Sequence, residues 1–356
     1  MEYIPILRLR QTESKILKEI NGKTICPLLE IVDSKSFQSF TAKNYKFSKD
    51  LMIDLPIYLT EEENRYYVGV TEILDGVNGA SKQLKQAEFY KSNAKNIGIP
   101  VVSSKSIKIR LDYNDLLIGY NALDKTTFPK IAIRIFVNSI DLSPKNIASF
   151  KSLLSAIRDE DLLLFDVVEF DGVEQGAMNN LNILLALLSE KLKERSFILN
   201  AFDITSNWRS DVHHYAPVLS KLFGLGGFGD FATMPRHEDA GGASGTTSVI
   251  RYTIGWEDRL THFASPSFQV SSTTLKNAQV WADAKTNGHF NMCNPCKQID
   301  TKNTEWKTFW KMFRIEHHIN TMLSNTLPNI LKYKNPQDFD IDGWDAISKK
   351  GNFGNG

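Results

Sequence analysis

A chain of 356 residues with 42% hydrophobic content has ample material for a large core without help from disulfides or metals. Lysine plus arginine number 42 and aspartate plus glutamate 41, so the net charge of +1 sets up no global field and disfavours a non-specific nucleic-acid binder. The three cysteines, Cys26, Cys293 and Cys296, make no disulfide framework and suit a reducing compartment.

The opening, MEYIPILRLRQTESK, carries arginine and glutamate where a secretory leader needs an apolar run. No stretch reaches the ~18 continuous apolar residues of a membrane span, and a cytoplasmic location without membrane partners is expected. Tyr3–Leu9 (YIPILRL) has the length and composition of a strand. Thr12–Ile20 follows with Ile16, Leu17 and Ile20 at helical spacing, stopped by Asn21-Gly22. Thr24–Val32 (TICPLLEIV) and Leu51–Leu55 (LMIDL) are the next two strands. Such runs, apolar without polar alternation, mark strands buried on both faces, as a parallel sheet requires.

A helix is predicted over roughly Ala80–Tyr90, then strands at Ile97–Val102 and Ile131–Val137. Ser143-Pro144 has the pattern of an N-cap with proline at the first helical position, and Ile147, Phe150, Leu153, Leu154 and Ile157 form one stripe. Leu162–Phe170 (LLLFDVVEF) is a sixth strand, followed by a helix with Met178, Leu181, Leu184, Leu185, Leu188 and Leu192 on one face. Ser196–Phe202 and Phe228–Thr233 complete eight strands. That count predicts an α/β fold, a (β/α)8 TIM-like barrel. The alternative, an open doubly wound sheet, lacks a glycine fingerprint after its first strand.

Glu238–Thr247 (EDAGGASGTT) reads as a glycine-rich loop, and Val249–Ile254 as either a continuation of the eighth strand or an added one. Irregular insertions follow, then a C-terminal helix at roughly Thr304–Leu323 and an Asn-, Lys- and Gly-rich tail. The expected organisation is a barrel over 1–258, an extension packing on it over 259–330, and a loosely ordered tail over 331–356.

Barrel active sites lie at the carboxyl ends of the strands. Polar residues there are Arg8, Arg10, Glu30, Asp54, Arg134, Asp166, Glu169, Asp203 and Asp230, with Arg251 and Tyr252 on the later strand. Arginine forks match the oxygen pairs of a phosphate, and the carboxylates suit proton transfer or cation binding. The same charges, paired with one another, equally make a structural network filling the barrel.

His317-His318 are helical neighbours pointing about 100° apart, so one of them at most faces a given site; Ile315, Ile319 and Met322 mark the buried side next to His318. His289, Cys293 and Cys296 have zinc-ligand spacing but supply three of four ligands, His262 being a remote fourth. No metal site or cofactor is assigned. Walker, kinase and Gly-x-Ser-x-Gly patterns are absent from the sequence.

The chain resembles the phage and bacterial "beta protein" family. Ile4-Pro5-Ile6-Leu7-Arg8-Leu9-Arg10 with Glu13 is similar to the family's opening "VPILK-x-K" and glutamate, Pro27-Leu28-Leu29-Glu30-Ile31 to its "PLIEI", and Asp54 to its "LDL". Pro100-Val101, Arg134 and Asp166 fall in its next strands, Gly229-Asp230-Phe231 resembles "GDY", Ile250-Arg251-Tyr252-Thr253 "IRYT", and His317-His318-Ile319 "HHI". The chain departs from it at Asn200-Ala201-Phe202-Asp203, where an "SGFP"-like ending is missing, and in its Cys293–Cys296 pair.

The resemblance implies a phage-associated role: defence, counter-defence, or partnership with a toxin or effector. Together with the strand ends it sets the expectation that Arg8, Glu30, Asp54, Arg134, Asp166, Asp230, Arg251 and His318 line one site. In that reading Glu30, Asp54, Asp166, Asp230 and His318 are the candidates for chemistry, and two outcomes stay open: phosphodiesterase-type hydrolysis, or ligand binding without turnover. Arg8, Arg10, Arg134, Arg251 and Tyr252 would hold a phosphorylated small molecule, a nucleotide or another anion. The alternative is a non-catalytic interaction or scaffold subunit of a defence or toxin–immunity module.

Overall fold

The computed structural model describes residues 1–10, 16–17, 26–42, 51–60, 66–75, 81–105, 112–169, 175–202, 215–235, 249–253, 260–264, 315–316, 318–320 and 322–323. Eight parallel strands close into a barrel: β1 (Glu2–Arg8), β2 (Leu28–Glu30), β3 (Met52–Asp54), β4 (Ile99–Ser103), β5 (Ala132–Phe136), β6 (Leu162–Glu169), β7 (Ser196–Phe202) and β8 (Gly227–Pro235), with β8 returning to β1. The fold expected from the strand count is the fold observed. β2 and β3 are shorter than their apolar runs, although Leu9 N–H still donates to the Glu30 carbonyl and Ile31 N–H to the Asp54 carbonyl, each at 2.8 Å.

Helices at Ser34–Ala42, Tyr67–Asp75, Lys82–Ser92, Tyr113–Ala122, Pro144–Ala156, Gln175–Ala186 and Tyr215–Leu222 lie between the strands. Capping explains several boundaries: Ser81 accepts from Leu84 N–H at 3.3 Å and Asp112 from Asn114 N–H at 2.9 Å. Pro144 opens its helix as expected, but Ser143 provides no side-chain cap. Asp141 accepts from Ser143 N–H and from Asn146 Nδ2 instead, each at 3.0 Å. That helix also buries Asn146 and Ser149 beside Phe150 and Leu153, so its inner face is rotated from the predicted aliphatic stripe.

β9 (Val249–Thr253) does not continue β8. It pairs antiparallel with β10 (Leu260–Ala264) in a separate two-stranded sheet. The helix expected at Thr12–Ile20, the glycine-rich loop at Glu238–Thr247 and the irregular segment over 259–300, apart from β10, lie largely or wholly outside the described residues. Near the carboxyl end, Ile315, His318, Ile319 and Met322 are fully buried, the i, i+3, i+4, i+7 spacing of a packed helical face. Among the described residues no helix is long and apolar enough to cross a membrane.

Paired residues of neighbouring strands share a face of the sheet, and so do residues two apart along one strand. Following the register round the ring puts Arg8, Glu30, Asp54, Ser103, Arg134 and Asp166 on the inner face. Below them the inward positions are apolar, among them Ile4, Ile6, Leu28, Met52, Ile99 and Leu164. Tyr3, Pro5 and Asp230 have the opposite parity and face the outer layer. Gly229, inward and opposite Ile4, admits no side chain: an added Cβ would lie 2.3 Å from the Ile4 carbonyl oxygen and 2.7 Å from Leu199 Cδ2.

Candidate functional site

Arg134 is the centre of the inner group and has no solvent exposure. Its Nε and Nη2 donate to Asp166 Oδ2 at 2.9 and 2.7 Å, and its Nη1 to Glu30 Oε1 at 2.9 Å and Asp54 Oδ2 at 2.7 Å. One guanidinium thus ties together carboxylates from β2, β3 and β6. Glu30 also accepts from Tyr58 OH at 2.7 Å and from Arg8 Nε at 3.3 Å. Taking these ions out of water is costly, and their mutual hydrogen bonds offset that cost only while the set is complete.

Asp54 has a further partner in Ser103, whose hydroxyl donates to Asp54 Oδ1 at 3.2 Å. Gln86, wholly buried on the helix between β3 and β4, donates to the Leu55 carbonyl at 2.7 Å and to Ser103 Oγ at 3.0 Å. One turn later, Tyr90 OH accepts from Leu55 N–H at 2.9 Å and donates to the Val101 carbonyl at 2.7 Å. These helical side chains fix the ends of β3 and β4, and with them the positions of Asp54 and Ser103.

The electrostatics follow from burial. The Asp54 carboxyl is pushed up to about 6, chiefly by desolvation and further by Glu30, against the lowering effect of Arg134 and Ser103. Burial works against the charge of Arg134, yet Asp166, Tyr58, Glu30 and Asp54 outweigh it and hold its pKa well above the ordinary value. Asp54 is therefore a buried carboxyl whose proton affinity is raised toward neutral pH beside a permanent cation. Aromatic faces enclose the group: the Arg134 Cζ lies 5.4 Å from both the Tyr58 and Phe136 ring centroids. Toward the strand ends, Arg8 and Arg10 both lie over the Tyr66 ring, at 4.7 and 4.5 Å, and Arg10 Nη2 donates to Tyr66 OH.

Asp230 and His318 do not join this group, which corrects the expectation of a single site. Asp230 is opposite Pro5 on the outer face. There it accepts from Tyr3 OH at 2.8 Å, and His318 Nε2 lies 2.9 Å from its other oxygen. The alternation of side chains along β8 is the reason: it is the neighbour, Phe231, that reaches Arg8 and Arg134, with its centroid 5.5 and 5.9 Å from their Cζ atoms. Burial opposes ionisation of Asp230, but the charge of His318 and hydrogen bonds from His318, Tyr3 and the Ala232 N–H win, and its pKa is lowered.

Arg251 and Tyr252 belong to β9, and their side chains lie outside the described residues, as do Asp203, His289, Cys293, Cys296 and the side chains of Glu169 and His262. Among the described residues no cluster of three or more His, Cys, Asp or Glu is arranged to hold a metal ion. Sequence reasoning missed Tyr58, Tyr66, Gln86, Tyr90 and Ser103. For Gln86 and Tyr90 a signal existed: polar groups at i and i+4 on a helical face that must pack on a parallel sheet.

The family model described as Beta protein matches residues 3–324. No curated protein matches the chain. Among solved structures, CdNal from Clostridium difficile, crystallised in complex with mannosamine, is similar at 12% identity over 65% of this chain and 70% of its own, with a TM-score of 0.32. A likeness that loose carries no argument, and the barrel assignment rests on the strand pairing itself.

Proposed function

We propose a function for a chain that belongs to the Beta protein family: the carboxyl-end mouth of its barrel binds a phosphorylated or otherwise anionic small molecule in a cytoplasmic, phage-associated setting. The observation that carries this reading is the convergence of charged side chains from β1, β2, β3, β5 and β6 on the end of the barrel where (β/α)8 proteins keep their sites. Arg134 is committed to protein carboxylates, so the anion is met by Arg8 and Arg10 beside Tyr66. Asp54, with its pKa near 6, is placed to give or take a proton as general acid–base chemistry requires. Phosphodiester hydrolysis is the reaction class that unites an anion clamp with such a carboxyl.

A thermal-shift survey with nucleotides, cyclic nucleotides and divalent cations tests this on wild type and Arg10→Gln. A ligand at ~100 times its dissociation constant stabilises the fold by about 2.7 kcal/mol. The expected result is a response in wild type that is weakened in the variant; flat responses in both defeat the reading.

One observation favours a second reading, a non-catalytic scaffold or interaction subunit of a defence or toxin–immunity module. Glu30, Asp54, Arg134 and Asp166 are all without solvent exposure and bonded to one another, as in a structural network. A protein partner bound equally by wild type and Arg10→Gln, with no small-molecule response in either, would support it.

A further inference from the structure

A chain of buried contacts leads from the C-terminal segment through β8 to the barrel mouth. On the outer face the Asp230 carboxylate is held by His318 Nε2 and Tyr3 OH, at 2.9 and 2.8 Å. The oxygen that accepts from Tyr3 also accepts from the backbone N–H of Ala232 at 2.8 Å. Ala232 is fully buried with φ of 46°, and is the one non-glycine residue at positive φ among those described. A Cβ disfavours that conformation, so it persists where its surroundings enforce it.

Phe231 stands between these two residues and projects to the opposite face. It is 1% exposed and lies against Arg8 and Arg134. The strand is bulged here. Its register against β7 passes from Asn200↔Asp230 to Phe202↔Pro235, so residues 231–234 stand opposite residue 201 alone. A bulge re-aims side chains and depends on local bonds, since its extra residues leave the ladder.

We propose that Asp230 and His318 are positioning residues: the C-terminal segment, through the His318–Asp230 pair, holds the β8 bulge and thereby seats Phe231 against the inner network. The carboxylate cap on Ala232 offsets the cost of its left-handed backbone. Without the His318 partner the carboxylate turns away, Ala232 relaxes to negative φ, and Phe231 withdraws from Arg8 and Arg134. The outer group then acts on the mouth without contributing a side chain to it. Nothing in this inference depends on the mouth binding a ligand, so either can fail alone.

The experiment is a side-chain correlation spectrum of full-length protein labelled at arginine Nε, read at the Arg134 Nε–H peak, with the Asp54 carboxyl titrated by carbon-13 labelling. His318→Ala is expected to displace the Arg134 peak and to move the Asp54 midpoint down from about 6 as water reaches the carboxyl. His318→Gln, which retains a donor toward Asp230, should restore both. Adding Ala232→Gly to His318→Ala should also restore them, because glycine adopts positive φ without a cap. Met322→Ala, a buried control on the same face, should lower the melting temperature and leave both signals in place. Unmoved signals in His318→Ala, with a melting temperature lowered as in Met322→Ala, overturn the proposal. Should His318→Ala not fold, a displaced Arg134 peak in His318→Asn supports it and an unmoved one overturns it.

Discussion

Asp54 and Asp230 are both buried carboxyls in strands of one barrel, yet their proton affinities move in opposite directions. For both, burial is the largest influence and raises the pKa. Asp54 shares its cation with Glu30 and Asp166, and the nearby Glu30 charge adds to the burial effect. Asp230 has the His318 imidazole at 2.9 Å, a phenol and a backbone N–H, and these outweigh burial. The number of anions competing for each cation, more than the depth of burial, separates a carboxyl that titrates near neutrality from one fixed as a carboxylate.

Arg134 is the cation shared by the three inner carboxylates. Replacing it with Met leaves Glu30, Asp54 and Asp166 buried without their shared cation, and should cost about 3–5 kcal/mol in chemical denaturation. An effect under ~1 kcal/mol would mean the inner ions are neutralised by some other route.

The pH dependence comes next in size. The folded-state pKa of Asp54 is raised above its ordinary 3.8 to about 6. Its contribution is therefore fully present below about pH 4 and is lost as pH rises through 6, by about 3 kcal/mol at most. Asp230, with a lowered pKa, has the opposite sign: its contribution is present above the ordinary carboxylate range and is lost as pH falls through its folded value. Stability profiles from about pH 2 to pH 7 should accordingly show Asp54→Asn gaining on wild type as pH rises from about 4 through 6, while Asp230→Asn falls behind as pH rises toward the ordinary carboxylate range and keeps a constant deficit above it. Parallel profiles for the two variants would erase the distinction.

Tyr3→Phe removes one donor to the Asp230 carboxylate while His318 and Ala232 N–H remain, and should cost about 1.5–3 kcal/mol by denaturant titration. Arg10→Gln at the mouth removes a cation stacked on Tyr66 and should cost about 0.5–1 kcal/mol. That small penalty leaves a folded protein in which loss of a ligand response is attributable to the mouth.

Much of this was legible in the residues. Uninterrupted apolar runs such as IAIRIFV and LLLFDVVEF require cover on both faces, which parallel strands with intervening helices supply. Because each run ends in or carries a charged residue, Arg8, Glu30, Asp54, Arg134 and Asp166 could be named as neighbours before any contact was known. Helices at Ser34–Ala42 and Tyr113–Ala122 were not read: SKSFQSFTA is rich in serine, and YNDLLIGYNA contains two asparagines and a glycine, so local preference is weak and packing on the barrel decides.

By itself, then, the sequence determined the order of strands and the apolar faces that force them into a closed parallel sheet, because those are local consequences of composition and period. The tertiary structure alone decided that Arg134 is consumed by three carboxylates, and that Asp230 and His318 meet outside the ring while Phe231 points in. Side chains alternate every residue along a strand, so a face is assigned only when register is known. For β8 that register is set against Pro5 and Asn200, one of them 225 positions away in the chain, and by a bulge that no local pattern announces.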